Sequence, residues 1–161
     1  MQNRNHIVEI LLDVDGLPPP TPEIQHEREL AIYELLQENV FVLDRRGEKI
    51  LPSAPLVLKL SMKNSLLAIT VEGKNYEGEY EVGLSLTALK PIIKDYFEIC
   101  KSYFNAVKRL PPSQIEVIDM GRRGIHLEGS RVLMERLSGK VKTDIPTAKR
   151  LFSLICALHI Y

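Results

Sequence analysis

LVLKLSMKNSLLAITVE, Leu56 to Glu72, alternates apolar and polar residues in two runs joined by Lys63-Asn64-Ser65. Leu56, Leu58, Leu60 and Met62 share one face, with Lys59 and Ser61 opposite; Leu67, Ile69 and Val71 repeat the pattern on the return. Successive side chains of a strand point to opposite sides, so alternation with period two marks strands with one buried face. Two such runs around a polar turn predict a hairpin. Tyr80, Val82, Leu84 and Leu86 alternate with Glu79, Glu81, Gly83 and Ser85 to give a further strand. A polar face on each run suits an antiparallel sheet covered on one side only.

At Thr87 the period changes. Leu89, Ile92, Ile93, Tyr96, Phe97, Cys100, Tyr103, Phe104 and Val107 form a broad apolar face at helical spacing, and Pro91 falls in the first turn, where proline is tolerated. Pro111-Pro112 stops that helix. Ser113 and Glu116 then have the spacing of a capping box that would open the next one. The last helix is predicted to start near Asp144 and Pro146. Its Leu151, Phe152, Leu154, Ile155, Ala157 and Leu158 leave little polar surface, which predicts a central position in the core.

Upstream of the hairpin, His6 to Val14 reads as a strand, ended by Gly16-Leu17-Pro18-Pro19-Pro20. Thr21 caps a helix with Pro22 at its first position, running to about Asn39. Val40 to Leu43 is a short strand, Asp44 to Glu48 a polar turn, and Gly73 to Gly78 a polar loop. After the helices begin, only the short Gly139-Lys140-Val141-Lys142 offers strand material. Strands grouped before helices predict an α+β fold in a single domain over residues 1–161. The expected architecture is an antiparallel sheet of about four to five strands, one early helix and a C-terminal cluster of three helices.

Composition excludes several classes. The chain has 161 residues, 45% hydrophobic and 26% charged, which argues against disorder. No apolar run approaches the roughly 18 residues of a membrane span, and the N-terminal stretch lacks the layout of a signal peptide, so a cytoplasmic protein with no membrane partner is expected. Cys100 and Cys156 lie among apolar residues at helical spacing and read as buried free thiols. His6, His26 and His159 are scattered, no CxxC is present, and no metal or cofactor is expected. Net charge is zero but uneven: residues 1–100 hold ten Lys+Arg and sixteen Asp+Glu, and residues 101–161 hold eleven and five. The asymmetry marks either an anionic partner for the basic half or two halves that complement each other within one fold.

SQIEVIDMGRRGIHLEGS, Ser113 to Ser130, is the stretch where chemistry is expected. On a continuous helix Asp119, Arg122, Arg123 and His126 stand at i, i+3, i+4 and i+7 on one face, with Glu116 one turn before. Two arginines held by acids can bind an anion; the competing reading is a solvated face laced by weak ion pairs. Gly121, Gly124 and Gly129 each cost a helix about 1 kcal/mol relative to Ala, which suggests close backbone approach or a break in the helix. Gly121-Arg122-Arg123-Gly124 also spells the loop tetrapeptide of KH domains, without the strands such a domain needs. His126 with Asp119 or Glu128 is a candidate acid–base pair, and neither Ser130 nor Cys100 is a good nucleophile. His26 and Arg28, on the first helix, are possible spatial neighbours of this segment.

The segments HERELAIYELLQENVF, KDYFEICKSYFNAV, PPSQIEVIDMGRRGIHLEGSRVLMERLSGK and TAKRLFSLICALH resemble a small family of alphaproteobacterial proteins known as uncharacterised protein family 0262. The resemblance spans nearly the whole chain. It implies a bacterial cytosolic protein of this size; it implies no reaction and carries over no catalytic or binding residues.

Three expectations follow. The first is a non-catalytic binding or regulatory domain that contacts an anionic small molecule or an acidic protein surface through Arg122 and Arg123, oriented by Glu116 and Asp119. The second is a small enzyme using His126 as general acid or base. The third is RNA binding by the basic C-terminal half. The apolar faces of the long helices either fill one core or leave a strip for a homodimer.

Overall fold

The computed structural model describes residues 6–44, 51–52, 54–74 and 78–159. The polar turn expected from Asp44 to Glu48 lies, after Asp44, outside the described residues, as does the middle of the Gly73 to Gly78 loop. Ten elements follow in order: β1 (Ile7–Asp13), α1 (Pro22–Gln37), β2 (Phe41–Leu43), β3 (Leu56–Lys63), β4 (Leu66–Gly73), β5 (Glu79–Ser85), α2 (Lys90–Arg109), α3 (Pro112–Leu137), β6 (Val141–Thr143) and α4 (Ile145–Leu158). The fold is α+β, with one early helix and three C-terminal ones.

β3 and β4 form the predicted hairpin, with Leu58 opposite Val71 and Leu60 opposite Ile69. The connection is two residues, and Asn64 takes φ 57°, a left-handed conformation that asparagine tolerates better than most residues. β5 continues antiparallel on β4. β1 pairs parallel with β3, so the four-stranded sheet, in order β1-β3-β4-β5, is mixed where a wholly antiparallel one was expected. The reason lies in the connection: parallel neighbours need a crossover, and α1 with β2 supplies it. Asn39, between α1 and β2, is 1% exposed and grips the start of β1. Its Oδ1 accepts from the Ile7 amide at 2.8 Å, and its Nδ2 donates to the carbonyls of Ile7 at 3.0 Å and Leu35 at 2.8 Å. β6, of which the sequence offered only a hint, pairs antiparallel with β2 in a separate two-stranded sheet.

α4 is buried along most of its length, from Thr147 and Ala148 to Leu158. The buried face of the sheet (Leu60, Leu67, Ile69) meets α4 (Leu151, Leu154, Ile155) and the end of α3 (Leu133, Leu137). α1 and α3 both pack on α4, and α2 packs on α3. The local signals that start α1 and α4 are in place. Thr21 Oγ1 accepts from the Ile24 amide at 3.2 Å, and Asp144 Oδ1 accepts from the Thr147 amide at 2.9 Å.

α3 departs from expectation at its start. The helix begins at Pro112 with Pro111 as its N-cap, and no side-chain capping bond is made, so Ser113 and Glu116 do not form a capping box. Proline is pre-organised for the first helical position, and here it opens the helix one residue before the serine could cap it. α3 then runs unbroken through all three glycines to Leu137. The Gly121–Gly124 tetrapeptide is therefore mid-helix, which removes the KH loop reading.

Close approach accounts for two of the glycines. A Cβ on Gly129 would stand 2.3–2.8 Å from three ring carbons of Phe152, and one on Gly121 would stand 3.0 Å from Ile99 Cδ1; one on Gly124 would meet nothing within 4 Å. Phe152 is fully buried. Gly129→Ala should therefore destabilise the fold by about 1–3 kcal/mol through overpacking. Gly124→Ala should stabilise it by about 0.5–1 kcal/mol through helix propensity alone. Urea denaturation of the two variants checks the contrast; equal effects of the same sign would overturn the close-approach account.

Candidate anion-binding site

Three helices each present a pair of side chains four residues apart, and the pairs meet. α2 supplies Tyr96 and Cys100, α3 supplies Arg122 and His126, and α4 supplies Lys149 and Ser153. In a helix such i,i+4 positions lie one above the other on one face, so packing α2 on α3 and α3 on α4 is enough to bring them together. Phe152 forms the base. Its ring lies 5.2 Å from the His126 ring at 82° and 6.1 Å from the Tyr96 ring at 67°, and Tyr96 and His126 are themselves 5.2 Å apart. Gly129 makes this possible by letting α3 approach the Phe152 ring.

Above that base lies an open pocket of 250 Å³ lined by Tyr96, Arg122, Arg123, His126 and Lys149. Asp119 holds both arginines from within α3. Its Oδ1 accepts from Arg122 Nε at 3.1 Å and Nη2 at 2.6 Å, and its Oδ2 lies 3.3 Å from Arg123 Nε. Among the described residues no carboxylate pairs with Lys149. Three cations thus line the pocket, and Asp119, which does not line it, pairs with the two arginines. Burial opposes the Arg122 charge, but the hydrogen bond that Arg122 donates to Asp119 and the Asp119 charge outweigh it and raise its pKa further. The Arg122 guanidinium also stacks 4.7 Å over the Tyr103 ring, which fixes it from a second side.

His126 is neutral here. Burial first, then the Lys149 and Arg122 charges, push its pKa down to about 4. Its Nε2 shares a 2.7 Å hydrogen bond with Ser153 Oγ. Asp119 is committed to the arginines and Glu128 is exposed, so neither forms the acid–base pair expected with His126. Ser130 is spent on the His126 carbonyl at 2.7 Å. Cys156 is buried as expected, whereas Cys100 is only partly buried. Burial, ahead of any other cause, raises the pKa of both thiols and keeps them protonated, which disfavours thiolate chemistry. Burial likewise raises Tyr96 and keeps it a neutral phenol.

The remaining expected residues divide. His26 lines a larger groove that adjoins the pocket. Arg28 does not join them: it is 2% exposed, with Nε donating to the Ala157 carbonyl at 2.9 Å, where its charge meets the negative end of the α4 dipole. Glu116 is exposed and lines neither concavity. No group of three or more His, Cys, Asp or Glu among the described residues is placed to hold a metal ion. No helix among them is long and apolar enough to cross a membrane.

The profile of the Uncharacterised protein family (UPF0262) matches residues 4–161. The chain belongs to this family. A UPF0262 protein of Ruegeria pomeroyi is 54% identical over 155 residues, covering 96% of both chains. One of Cereibacter sphaeroides is 51% identical over 155 residues, covering 96% of this chain and 98% of the relative. One of Paracoccus denitrificans is 48% identical over 157 residues, covering 98% and 97%. No solved structure matches. UPF0262 membership assigns no activity, so the site stands on its geometry.

Sequence reasoning singled out the α3 half of this cluster and missed Tyr96, Lys149 and Ser153. The usable signal was the i,i+4 spacing of polar groups on otherwise apolar helices: Lys149 and Ser153 are polar positions flanking Phe152 on the most apolar helix of the chain.

The depressed His126 value has a measurable consequence. The unfolded chain, with a histidine pKa near 6.5, takes up the proton before the folded chain does. Stability is therefore full above the unfolded value and is lost as pH falls from about 6.5 towards about 4. The groups that face His126 are Tyr96 from α2, Arg122 on α3 itself, and Lys149 and Ser153 from α4. His126→Gln removes this titration. The stability difference between wild type and variant should shrink as pH falls through that window, measured by urea denaturation; a constant difference would mean that folding leaves the His126 pKa unchanged.

Proposed function

We propose that this domain binds an anionic ligand, without catalysing a reaction on it, through Arg122, Arg123 and Lys149. One observation carries the reading: three cations from α3 and α4, Arg122, Arg123 and Lys149, line one concave pocket whose lining includes no carboxylate. Asp119 holds the guanidinium groups in place and leaves the pocket net positive. His126, kept neutral, can donate or accept one hydrogen bond without adding a charge. Tyr96 offers a phenol at the same edge. We take the domain to act in the cytoplasm, where the free thiols Cys100 and Cys156 stay reduced.

A second reading, a small enzyme using His126 as general acid or base, is favoured by the 2.7 Å His126–Ser153 bond. A neutral imidazole beside a hydroxyl is the pairing that activates a serine nucleophile. Covalent labelling by a fluorophosphonate that disappears in Ser153→Ala would support it; an unlabelled wild-type chain leaves it without a nucleophile.

Inorganic phosphate titrated into the full chain, with the His126 ring followed by NMR, tests the first reading. A bound anion offsets Lys149 and Arg122 and moves the His126 pKa up from about 4. A saturable shift is expected in wild type and not in the Arg122→Gln, Lys149→Gln double variant. No saturable shift, or the same shift in both proteins, defeats the proposal.

A further inference from the structure

The basic pocket is only part of the concave surface here. A groove of 650 Å³ adjoins it, and Tyr96 and Arg122 line both. It lies where α1 and α2 face each other over α4. Ser153, Cys156 and Ala157 line it from α4, and Phe97, Tyr103 and Phe104 line it from α2. Its size falls within the roughly 300–1,000 Å³ typical of small-molecule sites. Phe104 is 67% exposed, a large aromatic ring left in water beside a largely apolar trough. Charge is not uniform around the groove. Arg122 stands at the end shared with the basic pocket, while α1 contributes Glu23 and Glu27. An anionic group is attracted to the α3–α4 end and repelled from the α1 side.

We infer that the ligand of the basic pocket is an amphipathic anion, with its charged group among Arg122, Arg123 and Lys149 and its apolar body in the groove between α1 and α2. This rests on the anion-binding reading above and adds the chemical class of the ligand. A fully hydrophilic anion would leave the Phe97, Tyr103 and Phe104 surfaces in water. An uncharged apolar molecule would make no use of the positive charge that Arg122, Arg123 and Lys149 bring to one end. An aliphatic or aromatic carboxylate or phosphate satisfies both ends in one orientation. Each methylene buried in the groove strengthens binding by about fourfold, so a ten-carbon tail gains far more than a short one even when partly covered.

Calorimetry on the full chain with inorganic phosphate, decyl phosphate below its micelle-forming concentration, and decanol separates the possibilities. Decyl phosphate should bind at least about tenfold more tightly than inorganic phosphate, since burying even two methylenes supplies that factor. Phe104→Ala, a change at an exposed position outside the basic pocket, should weaken decyl phosphate severalfold and leave inorganic phosphate unchanged. Equal affinity for the two phosphates overturns the inference and leaves the anion site standing. Decanol binding as tightly as decyl phosphate overturns it, because the charge then contributes nothing. Undiminished decyl phosphate binding by Phe104→Ala overturns the groove as the seat of the tail. Decyl phosphate captured only within phosphatidylcholine vesicles overturns it in favour of a membrane surface. Failure of both phosphates to bind removes the anion-binding reading together with the inference.

Discussion

Helix α4 is too apolar to face water over most of its surface, and its burial organises the rest of the molecule. The sheet covers one side through Leu60, Leu67 and Ile69; α1 and α3 cover others. At one of these contacts Gly129 of α3 lies against the Phe152 ring, where no side chain fits between helix and ring. Once α3 is set at that distance, α2 follows because it packs on α3. The groove is what remains where α1 and α2 do not close over α4.

The same packing sets the electrostatics. Bringing His126 onto Phe152 and Tyr96 withdraws it from water, and the Lys149 and Arg122 charges further disfavour its protonation. The positive charge is left on long side chains at the rim, while the interior groups Tyr96, Cys100, Cys156 and His126 stay neutral. Asp119 prevents the two arginines from simply spreading into solvent. A rim that is charged and a trough that is apolar is a division of labour suited to ligands with both characters.

Much of the local structure was legible from periodicity. Alternation at Leu56–Met62 and Leu67–Val71 marked the hairpin, Thr21 and Asp144 marked two helix starts, and the Asp119–Arg122–Arg123–His126 spacing marked one face of α3. These readings succeed because they depend on residues within a turn or two of each other. Where two local signals competed, as at Pro112 and Ser113, the proline's fixed φ started the helix and the serine cap was not used. The glycines of α3 show the limit most directly. The sequence alone left helix breaks and close approach as alternatives, and the reason Gly129 is small is a ring twenty-three positions away.

The sequence by itself determined the α+β class, the position of nearly every element, the apolar character of α4 and the charge stripe of α3. It did so because backbone preferences and one-sided burial leave a period in the chain. Only the tertiary structure decided that β1 runs parallel to β3, that Arg28 serves the end of α4, and that Tyr96, Lys149 and Ser153 join His126 and Arg122. Those outcomes depend on which faces meet across three helices and a crossover. A spacing such as that of Lys149 and Ser153 marks a face of one helix, but a single sequence holds no record of which faces meet.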